Sequence, residues 1–159
     1  MHCSIAATAL ALGLISWYIS KPVTARLHET VAGQRLTVKA TPDIGITLDA
    51  DSAVTVANSQ PPRIELLRGN VYFDVTSNDA DKLEVKVGAA RIRDIGTRFS
   101  VGMRSDGGSV AVAEGQVEIL VATGTYLVSA RERADFDSMR VIGHRIIAEA
   151  EVAPWRLDR

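Results

Sequence analysis

From residue 35 onward, apolar and polar positions alternate in short runs: "RLTV" (35–38), "GITLDA" (45–50), "AVTVA" (53–57), "RIELL" (63–67), "VYFDV" (71–75), "KLEVKV" (82–87), "SVAVA" (109–113) and "QVEILVA" (116–122). Each is rich in Val, Ile, Leu or Tyr and is bounded by Gly, Pro, Asn, Asp or Ser, which is the signature of strands joined by tight turns. A period of two places Val71, Phe73 and Val75 on one face and Tyr72 and Asp74 on the other. Leu83, Val85 and Val87 form a second inward set, and Val117, Ile119 and Val121 a third. The pattern predicts an all-β domain, either an antiparallel β-sandwich or a solenoid-like stack of hairpins. A weak repeat supports stacking: "AGQRLTV", "RGNVYFDV" and "EGQVEILV" each start a strand with Gly followed by Gln or Asn. Gly33, Gly69 and Gly115 are therefore expected at positive φ in tight turns. Their spacing is too irregular for a strict solenoid.

One stretch breaks the alternation. In "AARIRDIGTRFSV" (89–101) the apolar phase slips by one residue at Asp94, and a Gly-Thr pair interrupts the run. Read as one strand, it puts Ala90 and Ile92 inward before the slip and Ile95, Thr97, Phe99 and Val101 inward after it. Arg93 and Asp94 then fall together on the outer face, the two-for-one count of a β-bulge, with Arg91, Gly96, Arg98 and Ser100 also outside. The expected result is a bend in the sheet at which the inward Thr97 hydroxyl needs a backbone acceptor.

The N-terminal pattern differs. "CSIAATALALGLISWYIS" (3–20) carries no charge, and 18 residues at ~1.5 Å each span about 27 Å, close to a bilayer core. A transmembrane helix, a signal peptide and a buried core helix compete. The membrane span fits best, because Trp17 and Tyr18 sit where interfacial aromatics belong, the run has no polar face, and no basic residue precedes it. Residues 1–21 are thus expected as a transmembrane helix or signal anchor, 22–144 as the β domain, and 145–159 as a tail. "RIIAEAEVAPW" (145–155) within that tail reads as a final strand or a short helix stopped by Pro154.

Charge and composition narrow the function. Eighteen basic residues against 19 acidic ones give a net charge of -1, which argues against nucleic acid as the main partner. Aromatics make up 5% of the chain, too few for an obvious stacking platform. The single cysteine, Cys3, allows no intrachain disulfide and no Cys-based metal site.

Candidate chemistry is sparse. His2, His28 and His144 have no metal-ligand spacing and read as surface residues. The acid pairs Asp49/Asp51, Asp79/Asp81 and Asp135/Asp137 occupy turn-like segments and lack the remaining features of a calcium loop. "DGGS" (106–109) lies between strands, where it makes a hairpin rather than a phosphate loop. No nucleophile elbow or dinucleotide fingerprint is present. The expectation is a non-enzyme with no catalytic residue, no cofactor, no metal and no small-molecule substrate.

"RIELLRGNVYFDV", "LEVKVGAARIRDIGTRFSV" and "VAVAEGQVEIL" together resemble the periplasmic domain of the FecR family. The matching positions are Gly69 and Phe73, then Gly96, Thr97, Phe99 and Val101, then Glu114, Gly115 and Val117, in that order. With "GQRLTV" and "ITLDADSAVTV" upstream, the resemblance covers about residues 30–136. The chain departs from the pattern at Gly69-Asn70 (usually Gly-Glu), at "PDIGI" (42–46) and at Ala130-Arg131, where an Ala-Gly turn is usual.

The resemblance implies a single-pass protein of the cytoplasmic (inner) membrane with its β domain in the periplasm. It would act as a signal transducer, relaying the state of an outer-membrane TonB-dependent receptor to an extracytoplasmic-function sigma factor, often in iron-siderophore uptake. It would work by protein–protein contact, with an exposed sheet edge as a candidate docking strand. Starting at the span and stopping at Trp155, the chain reads as a truncated or mis-started member without the cytoplasmic anti-sigma module. Two rivals are a membrane-tethered β-sandwich that binds a ligand or glycan through Trp17, Tyr72, Tyr126 and Trp155, and an envelope hydrolase using Asp49 and Asp51.

Overall fold

The structure, a computed structural model, describes residues 23–76 and 83–157. The uncharged run at 3–20, with Cys3, His2 and Trp17, and the pair Asp79/Asp81 lie outside the described residues. No helix among the described residues is long and apolar enough to cross a membrane.

Among the described residues, fourteen strands form two seven-stranded sheets packed face to face. In chain order they are β1 (Ala25–Glu29), β2 (Leu36–Thr41), β3 (Ile44–Leu48), β4 (Ala53–Ala57), β5 (Arg63–Arg68), β6 (Asn70–Val75) and β7 (Glu84–Val87). They continue with β8 (Ala90–Asp94), β9 (Arg98–Arg104), β10 (Gly107–Glu114), β11 (Gln116–Val121), β12 (Gly124–Ser129), β13 (Glu132–Asp137) and β14 (Val141–Ile146). The first sheet runs β1-β4-β5-β7-β8-β11-β12 and the second β14-β13-β10-β9-β6-β3-β2. Every pairing is antiparallel except β5 with β7. The predicted all-β sandwich of stacked hairpins is what forms.

The inward phase of each strand builds one core. Ile64, Val85, Ile92 and Ile119 of the first sheet meet Ile46, Phe73, Phe99 and Phe136 of the second, all almost fully buried. Leu83, Val85, Val87, Val71, Phe73, Val117 and Ile119 are in this core, and Val75 and Val121 pack at its margin. Phe73 and Phe99 are cross-strand partners whose rings stack with centroids 5.0 Å apart. Such a pair adds to the stability from burial alone.

The chain builds the sandwich by alternation. Apart from β1 and β6, which enter their sheets singly, it lays a hairpin in one sheet, turns a corner, and lays the next hairpin in the other. Six corners are described, and each carries one residue at positive φ: Gly33 (77°), Asp51 (53°), Gly69 (79°), Gly96 (80°), Gly115 (80°) and Arg131 (66°). The three glycines expected at positive φ from the repeat are among them.

The stretch at 89–101 is therefore not one bulged strand. It is β8 of the first sheet, a corner at 95–97, and β9 of the second. The bend is real and Ser100 is on the outer face as expected, where the tail covers it, but the predicted facing fails at two residues. Asp94 is buried and Ile95 is 40% exposed, the reverse of the expectation. The physical reason is that Asp94 keeps the inward phase of Ala90 and Ile92, so no slip occurs within β8, and a new phase starts when the chain enters the other sheet.

Candidate functional site

The nine residues singled out by the family pattern converge on the corners and the core beside them. Gly69 lies where β5 hands over to β6. It stands directly against the corner between β3 and β4, where the amide of Asn70 donates to Ser52 Oγ at 3.0 Å. A Cβ at Gly69 would meet the backbone of Asp51 and Ser52 at 2.7 Å. Gly115 lies where β10 hands over to β11 and stands against the corner at 95–97. A Cβ there would meet Thr97 Cγ2 at 2.6 Å and the Gly96 carbonyl oxygen. The corners are thus stacked in pairs, and glycine is required both by positive φ and by contact. Phe73, Phe99, Val101 and Val117 fill the core alongside. Glu114 forms an ion pair with Arg98 across β9 and β10 at the surface.

Asp94 is the residue of this region that sequence reasoning misplaced. Its carboxylate sits inside the corner, accepts hydrogen bonds from the backbone amides of Gly96 and Ile95, and takes the Thr97 hydroxyl proton donor. Burial pushes its pKa up to about 6, against the lowering effect of the two amides. The expected acceptor for Thr97 exists, but it is this carboxylate rather than a backbone carbonyl. The signal in the sequence is Asp three residues before Thr across a Gly, the spacing of an Asp-capped turn.

The other acids hold turns or arginines. Asp49 pairs with Arg35 at 3.3 Å and Asp51 with Arg68 at 3.2 Å. Asp135 lies 3.1 Å from Arg104 and 3.3 Å from Arg133. Asp137 accepts the amides of Met139 and Arg140 at 2.7 and 2.8 Å, which lowers its pKa. His144 is exposed and 3.2 Å from Glu132. Among the described residues, no three His, Cys, Asp or Glu side chains are grouped closely enough to hold a metal ion. Asp49 and Asp51 are each engaged with an arginine and converge on no pocket.

The tail crosses the outer face of the second sheet. After β14, two single-turn 3-10 helices (Glu149–Glu151 and Pro154–Arg156) place Ile147, Val152 and Ala153 on Tyr72 and Ala111. Ser100 donates to the Val152 carbonyl. The Arg156 guanidinium lies 3.7 Å from the Tyr72 ring centroid, and that of Arg35 lies 5.8 Å from Trp155. Tyr72 faces away from the sandwich core, as its phase predicts, yet is only 6% exposed because the tail covers it. Tyr126, by contrast, lies on β12, the edge of the other sheet. Of the described aromatics named for a glycan platform, Trp155 thus packs on the same cluster as Tyr72, and Tyr126 stands apart from both.

Among the described residues, the sheets end in four edge strands, β1 and β12 of the first sheet and β2 and β14 of the second. β12 and β14 carry exposed apolar side chains, Tyr126 and Leu127 on one and Ile142 and Ile146 on the other, with Ile146 at 79%. Unpaired edge backbone beside apolar side chains is the usual substrate for strand addition by a partner.

Comparison with known proteins agrees with this fold. The family described as "FecR protein" matches residues 26–118. No curated protein is similar enough to count as a match. Two crystal structures of a proposed anti-sigma factor from Parabacteroides distasonis ATCC 8503 share the fold. One, at 2.50 Å, has a TM-score of 0.74 and 17% identity, covering 85% of this chain and 66% of that one. The other, at 1.65 Å, has a TM-score of 0.72 and 18% identity, covering 84% and 65%. The chain thus spans slightly less than two thirds of the length of these structures.

Proposed function

The chain belongs to the FecR family, and from that premise we propose that it is a regulator of a sigma factor and acts by protein–protein contact. The observation that carries this reading is the family match over 26–118, a span that includes all six corner residues except Arg131. The shared fold with a proposed anti-sigma factor supports it.

In the fuller form of this reading, the segment at 3–20 anchors the protein in the cytoplasmic membrane and the β domain stands in the periplasm. There it relays the state of an outer-membrane TonB-dependent receptor to an extracytoplasmic-function sigma factor, with iron-siderophore uptake as the controlled process. The rigid corner-stacked sandwich holds its edges in fixed positions, and the β12 and β14 edges are the surface assigned to the receptor. Binding there needs no bond chemistry, in keeping with the dispersed acids.

A promoter reporter for the cognate sigma factor tests the reading. Deleting the gene should change reporter output in response to the inducing ligand, and deleting the receptor should have no further effect in that background. Reporter output indifferent to the gene overturns it. Fusions of alkaline phosphatase after residue 157 report location separately, with activity expected for a periplasmic β domain.

A further inference from the structure

At the end of the sandwich opposite β12 and β14, the edge strands β1 and β2 flank an open cleft of about 360 Å³. Its lining has an unusual distribution of charge. Arg26 and His28 are the cross-strand partners of Val56 and Val54, whose side chains belong to the core face of the first sheet. A period of two therefore points both side chains toward the gap between the sheets. Across the gap, Val38 and Ala40 of β2 present apolar surface, while Lys39 between them alternates to the outer face, with its ammonium on the Pro42 carbonyl at 3.1 Å.

No carboxylate lines this cleft. Among the described residues, neither Arg26 nor His28 has a hydrogen-bond or ion-pair partner, whereas seven other arginines reach a carboxylate. Inward-pointing charge can serve only to blunt a sheet edge against aggregation. That role needs one charge on the edge strand. It does not call for a cleft with an apolar wall and polar Asn58 and Ser59 at one end. A fork-shaped guanidinium and an imidazole beside a partly apolar hollow suit a phosphate ester that carries an organic substituent.

The position of the cleft selects its source. Thr24, part of the lining, is four residues beyond Ser20, the last residue of the uncharged run. Four residues reach at most about 14 Å, and the headgroup layer on each side of a bilayer is roughly 5–8 Å deep. We propose that the Arg26–His28 cleft binds the glycerophosphate headgroup of an anionic lipid and so fixes the sandwich against the membrane surface. This rests on the membrane-anchor reading given above. With one edge pair held at the lipid, the opposite β12 and β14 edges point away from it, free for a partner.

The test uses the full chain in zwitterionic detergent micelles, titrated with dihexanoyl phosphatidylglycerol and followed by NMR at the amides of Thr24, His28, Lys39 and Asn58. Dihexanoyl phosphatidylcholine and inorganic phosphate are separate arms. Saturable shifts with phosphatidylglycerol and none with phosphatidylcholine are expected. The R26A variant should bind roughly fivefold more weakly, from one basic contact of surface-potential strength. R140A, at the far end, should bind as the parent does, and thermal melts check that all variants fold. Inorganic phosphate binding as tightly as the lipid assigns a free anion and overturns the headgroup. Equal shifts with phosphatidylcholine, or no saturable shift with either anion, overturn the site. Carbonate extraction of the chain from membranes reads the anchor independently. Extraction resistance without lipid shifts sinks the cleft alone, and lipid shifts with an extractable chain sink the anchor alone.

Discussion

The Thr97 hydroxyl donates to the Asp94 carboxylate inside the corner that passes the chain from β8 to β9. Both residues are 2% exposed, so a charged carboxylate there is separated from water and held mainly by the turn's own donors.

This predicts a pH dependence of stability. Asp94 retains its proton in the folded state up to about pH 6, against 3.8 for the ordinary group. Between those values the folded state binds more protons than the unfolded one, so this group's contribution to stability falls as pH rises from about 4 to 6 and is level above. The full difference is on the order of 3 kcal/mol. Urea unfolding of the parent and D94N across pH 4–8 measures it. The asparagine variant should lose the part of the slope that falls in this window, and an unchanged slope would show that Asp94 is not its source.

Stacked corners make glycine substitutions unequal. Gly115→Ala combines positive φ with a Cβ 2.6 Å from Thr97 Cγ2, so a loss of about 2–4 kcal/mol is expected. Gly33 has a similar φ of 77° but nothing within 4 Å, and Gly33→Ala should cost only the conformational part, about 1 kcal/mol. Chemical denaturation of the two variants gives the comparison directly, and equal losses would remove contact between corners as a cause.

Arg131 is the corner residue at which the sequence departs from the family's glycine. It adopts φ 66°, a conformation that costs a non-glycine residue about 1–2 kcal/mol. Arg131→Gly relieves this and loses about 0.4–1 kcal/mol through the more flexible unfolded chain. The net expectation is a gain of about 0.5–1 kcal/mol, read as a higher Tm. A lower Tm would mean that the arginine side chain contributes more than its backbone costs.

The tail is expected to be a removable part of the fold. Arg156→Ala deletes the cation–π contact with Tyr72, at a cost of about 0.5–1 kcal/mol for a partly exposed pair. Truncation after Ile146 should lower Tm further and expose Tyr72, which iodination or tyrosine fluorescence quenching detects. A Tyr72 equally protected after truncation would show that the tail does not cover it.

Much of the core was legible because burial on one face leaves a period-two record. Val71, Phe73, Val85 and Ile119 could be assigned inward from spacing alone, and Gly69 and Gly115 from their place before a strand. β1 was not legible, because "ARLHE" points Arg26 and His28 toward the gap and so carries no apolar stripe. β12 and β13 alternate weakly and went unread, although Val128, Ala134 and Phe136 are inward. Of the nine pattern residues, the sequence supplied identity and order but not their meeting place. Gly96 and Gly115 are 19 positions apart, and only the stacking of two corners brings them together.

The amino-acid sequence by itself determined an all-β chain, the glycine-led turns and the family, because alternation and turn chemistry are local properties. The tertiary structure decided which sheet each hairpin joins, that Asp94 is buried and Ile95 exposed, that the tail covers Tyr72, and which edges stay open. Those outcomes depend on contacts between residues far apart in the chain. The donors that made burial of a carboxylate tolerable arise only when the chain turns the corner between two sheets.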